Sequence, residues 1–200
     1  CFQDMPRAKI RAAPAANKTA EHGVWEPASG KALFDAIDKA LGALPIIAED
    51  LGVITPEVEA LRDCNGFPGM KILQFAFDSA EDNDFLPHNY PANSVVYTGT
   101  HDNDTSHGWY QHASASDKQF AKAYLDATGR SIVWKFIRAA WAATSVMALA
   151  PLQDVLELGN EARTNVPGTD SGNWEWRFAS DMLTDEVATR LRHLTEVYRR

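Results

Sequence analysis

The chain has 200 residues, 19 Lys and Arg against 27 Asp and Glu, two Cys and 45% hydrophobic residues. A net charge of −8 with no basic cluster excludes a sequence-independent nucleic-acid binder, which needs grouped Lys and Arg to displace counterions. Apolar runs stop short of the roughly 18 residues that a membrane span needs, and six Trp with nine Phe are too apolar a load for a disordered chain.

Pro6, Pro14, Pro27 and many Ala punctuate residues 1–30, which read as mostly loop. Leu33, Phe34, Ile37, Ala40 and Leu41 then fall at helical spacing, predicting an amphipathic helix over 31–43 that ends at Gly42. Leu44–Ala48 reads as a short apolar strand with Glu49 and Asp50 at its end. Thr55-Pro-Glu57 supplies a capping hydroxyl, a first-turn proline and an acid near the positive helix end, so a helix is expected from there to Asn65-Gly66.

Met70–Phe77 reads as a second strand, 78–93 as a polar loop, and Ser94–Thr98 as a third strand running into Gly99-Thr-His-Asp-Asn-Asp-Thr105. Helices are expected over 116–127, capped by Ser116 or Asp117, and over 132–144, with Ile132, Phe136, Ile137, Ala140 and Trp141 inward. Val146–Ala150 is a fourth strand, 152–158 a short helix, and 159–177 a long loop. The last helix covers 184–199, with Val187, Leu191, Leu194 and Tyr198 inward. Apolar strands alternating with helices predict an α/β fold with a parallel sheet. Four such units amount to about half of a (β/α)₈ barrel, which takes about 250 residues. The competing open doubly wound sheet lacks a Gly-x-Gly-x-x-Gly after any strand.

Function in parallel α/β folds collects at strand C-terminal ends. Glu49-Asp50 and His101-Asp102-Asn103-Asp104 both occupy that position, and converging carboxylates suit glycosyl transfer through an oxocarbenium-like transition state. Phe75, Trp109, Tyr110, Trp174 and Trp176 are candidates to stack on sugar rings. Plainer readings stand beside these. Glu49-Asp50 also reads as a solvated loop or helix cap. The His101–Asp104 run also reads as a turn held by Asx hydrogen bonds, or, with His107, as a set of metal ligands. His88 and Asp78 are isolated in the 78–93 loop, and His22, His112 and His193 read as surface residues. Trp174 serves equally as a packing anchor in the long loop. Cys1 and Cys64 form no metal or disulfide motif and read as reduced thiols of a cytoplasmic protein. No apolar leader is visible, and a chain starting with Cys reads as a piece of a longer one.

Several segments carry a resemblance. Ile46-Ile-Ala-Glu-Asp-Leu-Gly-Val-Ile-Thr-Pro-Glu-Val-Glu-Ala-Leu-Arg-Asp63 and Pro68-Gly-Met-Lys-Ile-Leu-Gln-Phe-Ala-Phe77 are two of them. Tyr97-Thr-Gly-Thr-His-Asp-Asn-Asp-Thr105, the Pro151–Leu158 run and the segment from Asn165-Val-Pro-Gly168 through Asn173-Trp-Glu-Trp-Arg177 are the others, and Lys18–Gly30 is also similar. Together, in this order, they resemble the 4-α-glucanotransferases (amylomaltases, or disproportionating enzymes) of the α-amylase clan.

The resemblance implies the C-terminal half of a (β/α)₈ TIM barrel, incomplete here, with residues 13–200 as its catalytic portion and 1–12 as a divergent segment. It implies retaining transfer of α-1,4-glucan segments between maltooligosaccharides, or from starch- or glycogen-derived glucans, without metal or organic cofactor. Glu49 matches the acid/base and Asp102 the transition-state stabiliser. His101, Asn103, Asn165 and Trp174 would contact sugar, and Phe75 would line the cleft. The family's nucleophile lies upstream in an Arg-x-Asp-His context. Cys1–Arg11 stands there instead, and Asp4 does not match it. An isolated half barrel leaves sheet edges and apolar faces uncovered, so the chain alone is expected to be inactive and poorly soluble. A non-catalytic glucan-binding remnant and a metal-dependent hydrolase on His101 and Asp102 are the alternatives.

Overall fold

The computed structural model describes residues 8–12, 24–52, 54–77, 83–127 and 132–200. The chain divides into two compact units, residues 1–70 and 71–200.

In the first unit, β1 (Ala8–Ala12) pairs antiparallel with β2 (Val24–Ala28), with Ala8 opposite Ala28 and Ala12 opposite Val24. This corrects the reading of residues 1–30 as loop. Pro27 hid the second strand, but a two-stranded ladder consists only of edges, where a missing N–H is tolerated. Helix α1 (Gly30–Leu41) matches expectation and ends at Gly42, which takes φ +75° while its N–H donates to the Asp38 carbonyl. Phe34 on its apolar face meets Phe67 edge-on at 4.9 Å.

The strand expected over Leu44–Ala48 does not form. Pro45 has no N–H to give a ladder, and the Ile46 N–H turns back to the Leu44 carbonyl. Helix α2 (Pro56–Cys64) begins as read, with proline in its first turn and Glu57 beside it. The Thr55 hydroxyl, however, makes no cap hydrogen bond.

The second unit carries a sheet ordered β3-β4-β5, from β3 (Gly69–Ile72, which begins at the junction), β4 (Ser94–Tyr97) and β5 (Met147–Leu149). β4 and β5 run parallel, Val95 opposite Met147 and Tyr97 opposite Leu149, as the alternation of strands and helices predicts. β3 is half the expected length. Leu73, Gln74, Ala76 and Phe77 are all buried, and a strand would point alternate residues out, so Leu73–Phe77 winds into a 3₁₀ turn instead. Helix α3 (Ser106–His112) was not anticipated because Gly108 interrupts its pattern. The Thr105 hydroxyl caps it by accepting from the Gly108 N–H.

Helix α4 (Ala115–Tyr124) is capped by Ser114 rather than by Ser116 or Asp117. Helices α5 (Ile132–Ala142), α6 (Leu152–Val155) and α7 (Asp185–Tyr198) follow. α6 is shorter than expected, the chain leaving it at Glu157 with φ +58°. Among the described residues no helix is long and apolar enough to cross a membrane.

The core lies between the 3₁₀ turn and α3, α4, α5 and α7. Phe77 is fully buried at its centre, with the rings of Trp109, Phe120, Tyr124 and Phe136 between 5.2 and 6.1 Å away. Ile132, Phe136, Ile137 and Ala140 are buried on α5 as the periodicity requires, and Val187, Leu191, Leu194 and Tyr198 pack inward from α7. Phe77→Ala is expected to cost about 3–5 kcal/mol, from lost burial plus the cavity left among four rings. A urea midpoint within error of the wild type would contradict this. On β5, by contrast, Met147 and Leu149 remain 48% and 39% exposed.

Candidate active site

The loop from Gly99 to Thr105 leaves the C-terminal end of β4 and enters α3. Its fold is built from its own side chains. Asn103 Oδ1 accepts from both the N–H and the hydroxyl of Thr100, at 2.9 and 2.8 Å, which closes the turn back onto the residue three before it rather than forward as an Asx turn does. Asn103 therefore braces the turn through its side-chain oxygen. Asp104 is also committed: Oδ1 accepts from the Thr105 N–H and Oδ2 from Asn160 Nδ2. Beneath the loop, Gln74 is buried and donates through Nε2 to the Asp104 carbonyl. Gly99 allows that approach, since a Cβ there would lie 2.5 Å from Gln74 Nε2.

These contacts leave His101 and Asp102 at the crown, each about half exposed. Asp102 Oδ1 accepts from Asn165 Nδ2 at 2.6 Å and lies 3.3 Å from His101 Nε2. The long loop is tied to the same turn through its backbone. The Asn165 N–H donates to the His101 carbonyl, and Arg163 donates to the carbonyls of both Asp102 and Asn165.

Trp174 completes the group. Its N–H donates to the Thr164 carbonyl at 2.7 Å, which folds the loop back, and its ring lies 5.0 Å from that of His101. It holds φ +65° and is 58% exposed. Bulky residues rarely adopt the left-handed region, and here the ring stays largely in solvent.

Other sequence candidates are distributed differently. Trp109 is half-buried and packs against the core rings of Phe77 and Phe136. Tyr110 lies under the ammonium groups of Lys118 and Lys122, and Trp176 stacks near Phe178. Phe75 is 40% exposed on the 3₁₀ turn after β3, edge-on to Phe85. His112 and His193 are on the surface as read, and His88 bonds the Tyr124 hydroxyl. His22, Asp78 and Asp4 fall outside the described residues. His107 turns away to the Glu157 carbonyl and Gln111, and no three His, Cys, Asp or Glu among the described residues are grouped to hold a metal ion.

Glu49 stands in the first unit, exposed, between half-buried Ala48 and Asp50. Its neighbour is the anchor. Asp50 accepts from Arg62 on α2 at 2.5 Å and from the Met70 N–H at 2.7 Å. Gly69 is required here because a Cβ would collide with the Asp50 carboxylate. Asp63 and Asp50 together hold the Arg62 guanidinium even more firmly charged than usual, against a smaller opposing effect of burial.

Asp154 was not singled out from the sequence. It is 1% exposed, and burial pushes its carboxyl up, against the hydrogen bonds that Thr98 and Ser106 donate to it. The available signal was a lone acid within the mostly apolar run from Met147 to Leu156, since a charge in such a run must find partners. Arg163 and Asn160 gave no comparable signal.

The family model described as 4-alpha-glucanotransferase matches residues 8–184. The chain belongs to the 4-alpha-glucanotransferase family. It is 55% identical over 190 residues to the 4-alpha-glucanotransferase of Synechocystis sp., an alignment that covers 94% of this chain and 38% of that protein. It is 50% identical over 195 residues to that of Thermus thermophilus, covering 94% and 39%. Among solved structures, the amylomaltase from Streptococcus agalactiae in complex with acarbose superposes with a TM-score of 0.90 at 36% identity, over 96% of this chain and 39% of that one. The amylomaltase of Corynebacterium glutamicum shares the fold, with a TM-score of 0.71 at 16% identity. The chain thus spans about two fifths of the length of these relatives.

Proposed function

We propose that the chain is the C-terminal part of a retaining 4-α-glucanotransferase built on a (β/α)₈ barrel, and that its parent moves α-1,4-glucan segments between maltooligosaccharides. The observation that carries this reading is the strand-end group. A half-exposed Asp102 is oriented by Asn165, and an exposed Trp174 ring lies against His101.

In the reaction, a carboxylate nucleophile from outside the described residues attacks the anomeric carbon. Glu49 gives its proton to the leaving glycosidic oxygen, and the donor's reducing end departs as a neutral alcohol. The covalent glucosyl intermediate is then attacked by the 4-hydroxyl of a second glucan, whose proton passes to Glu49. Atoms and charge balance, and the acid is regenerated. Asp102 offers negative charge to the oxocarbenium-like transition state and accepts hydrogen bonds from the sugar hydroxyls. His101 and Asn165 hold Asp102 and reach the same hydroxyls, while Trp174 and Phe75 supply apolar faces for sugar rings.

The full-length protein carrying this chain is expected to convert maltotriose into glucose and a ladder of longer oligosaccharides, with no net gain in reducing ends. The 200-residue chain alone is expected to do neither. Reducing ends rising in step with product would show a hydrolase. Saturable glucan binding without turnover by the full-length protein would favour a binding remnant.

A further inference from the structure

We infer that Asp154 is a positioning residue for Asp102: a single buried carboxylate ties together the two ends of the loop that carries it. The loop begins after Thr98 and ends at Ser106. Asp154 Oδ2 accepts from the Thr98 hydroxyl at 2.5 Å and from the Ser106 hydroxyl at 2.7 Å, and Oδ1 accepts from the Ser106 N–H at 2.7 Å. Thr98, Ser106 and Asp154 are each at most 1% exposed, so these bonds are shielded from bulk solvent.

Seven residues lie between the tied ends. Within that stretch Gln74 supports the Asp104 carbonyl, and Arg163 holds the Asp102 carbonyl. Asp154 comes from α6, which follows β5, while Thr98 and Ser106 flank the loop after β4. Because β4 and β5 pair in parallel, the helix entered from β5 lies at the same end of the sheet as the loop leaving β4. The carboxylate therefore spans two successive strand-end segments and sets the height and tilt of the turn that presents Asp102. It touches neither substrate nor reacting atoms, and its effect passes through the loop.

This inference rests on the assignment of Asp102 to the transition state, and the experiment separates the two. Asp154→Ala, Asp154→Asn and Asp102→Asn are made in the full-length protein, with the double variant Asp154→Ala/Asp102→Asn. kcat and KM are read with maltotriose below each variant's unfolding temperature. Asp154→Ala is expected to lower kcat about 100-fold, the usual penalty for displacing a catalytic group by about an ångström, with KM within about threefold of the wild type. Asp154→Asn keeps an acceptor for the Ser106 N–H and a donor to the two hydroxyl oxygens, so kcat is expected to return to within about fivefold.

The double variant is expected to be no slower than Asp102→Asn alone, because residues acting as a unit do not add. An Asp154→Ala protein with lowered thermal stability and wild-type kcat overturns the inference, as does an additive double variant. If Asp102→Asn itself keeps wild-type kcat, the assignment of Asp102 has failed instead. Where Asp154→Ala does not fold, Thr98→Val and Ser106→Ala, which each remove one tie to Oδ2, carry the test. Each is expected to lose about five- to tenfold in kcat at unchanged KM, and wild-type kcat in both overturns the inference.

Discussion

Glu49→Gln in the full-length protein is expected to lower kcat for maltotriose about 10³-fold. General acid–base catalysis contributes about 10² to 10⁴, and a natural glucan needs both halves of it: a proton for a poor alkoxide leaving group, then a base for the acceptor hydroxyl. The loss corresponds to about 4 kcal/mol of transition-state stabilisation. Glutamine preserves the volume and leaves the anchor intact, because Asp50 rather than Glu49 makes the bonds to Arg62 and the Met70 N–H. A 4-nitrophenyl maltoside donor sharpens the experiment. Nitrophenolate departs without a proton, so release of the first nitrophenol equivalent is expected to stay within about tenfold of the wild type, while later turnover stalls. Equal losses with both donors would assign Glu49 to folding or binding rather than to proton transfer.

Asp102→Asn is expected to be of similar size, about 10³-fold in kcat with KM little changed, for a different reason. The substitution keeps the shape and removes the negative charge. Charge acts mainly where positive charge develops, and a single preorganised electrostatic contact is worth about 10² to 10³. Asn165→Ala leaves the charge and removes the 2.6 Å bond that aims it, so about a tenfold loss is expected, nearly absent once Asp102 is already Asn. A rise in KM alone for Asp102→Asn would assign it to ground-state binding and sink its transition-state role.

The candidate chemistry was legible because the carboxylates occupy short motifs. Glu49-Asp50 and His101–Asp104 sit in runs whose order resembles one family, and that resemblance supplied roles no spacing could. Periodicity likewise served where a helix has one apolar stripe. The inward positions of α5 and α7 were read correctly, since a 3.6-residue repeat is a local property of the chain.

Local pattern failed where non-local burial or a single residue overrode it. Leu44–Ala48 has strand composition, yet Pro45 and the turn at Ile46 stop a strand from forming, and the Ala48 N–H reaches across to the Pro68 carbonyl. Leu73–Phe77 is apolar enough for a strand, but only a 3₁₀ turn buries Leu73, Gln74, Ala76 and Phe77 together. Pro27 concealed β2 and Gly108 concealed α3.

The same division runs through the site. Composition and motif order by themselves determined the α/β class, the family and the carboxylates worth testing, because those depend on which residues are present and in what succession. Tertiary structure alone decided that Asn103 braces a turn, that Trp109 packs against the core, that Trp174 holds a left-handed backbone against His101, and that Asp154 ties Thr98 to Ser106. Those roles depend on partners tens of residues away. Hydrogen bonds between such partners act only within about 3 Å, a distance that position along the chain does not encode.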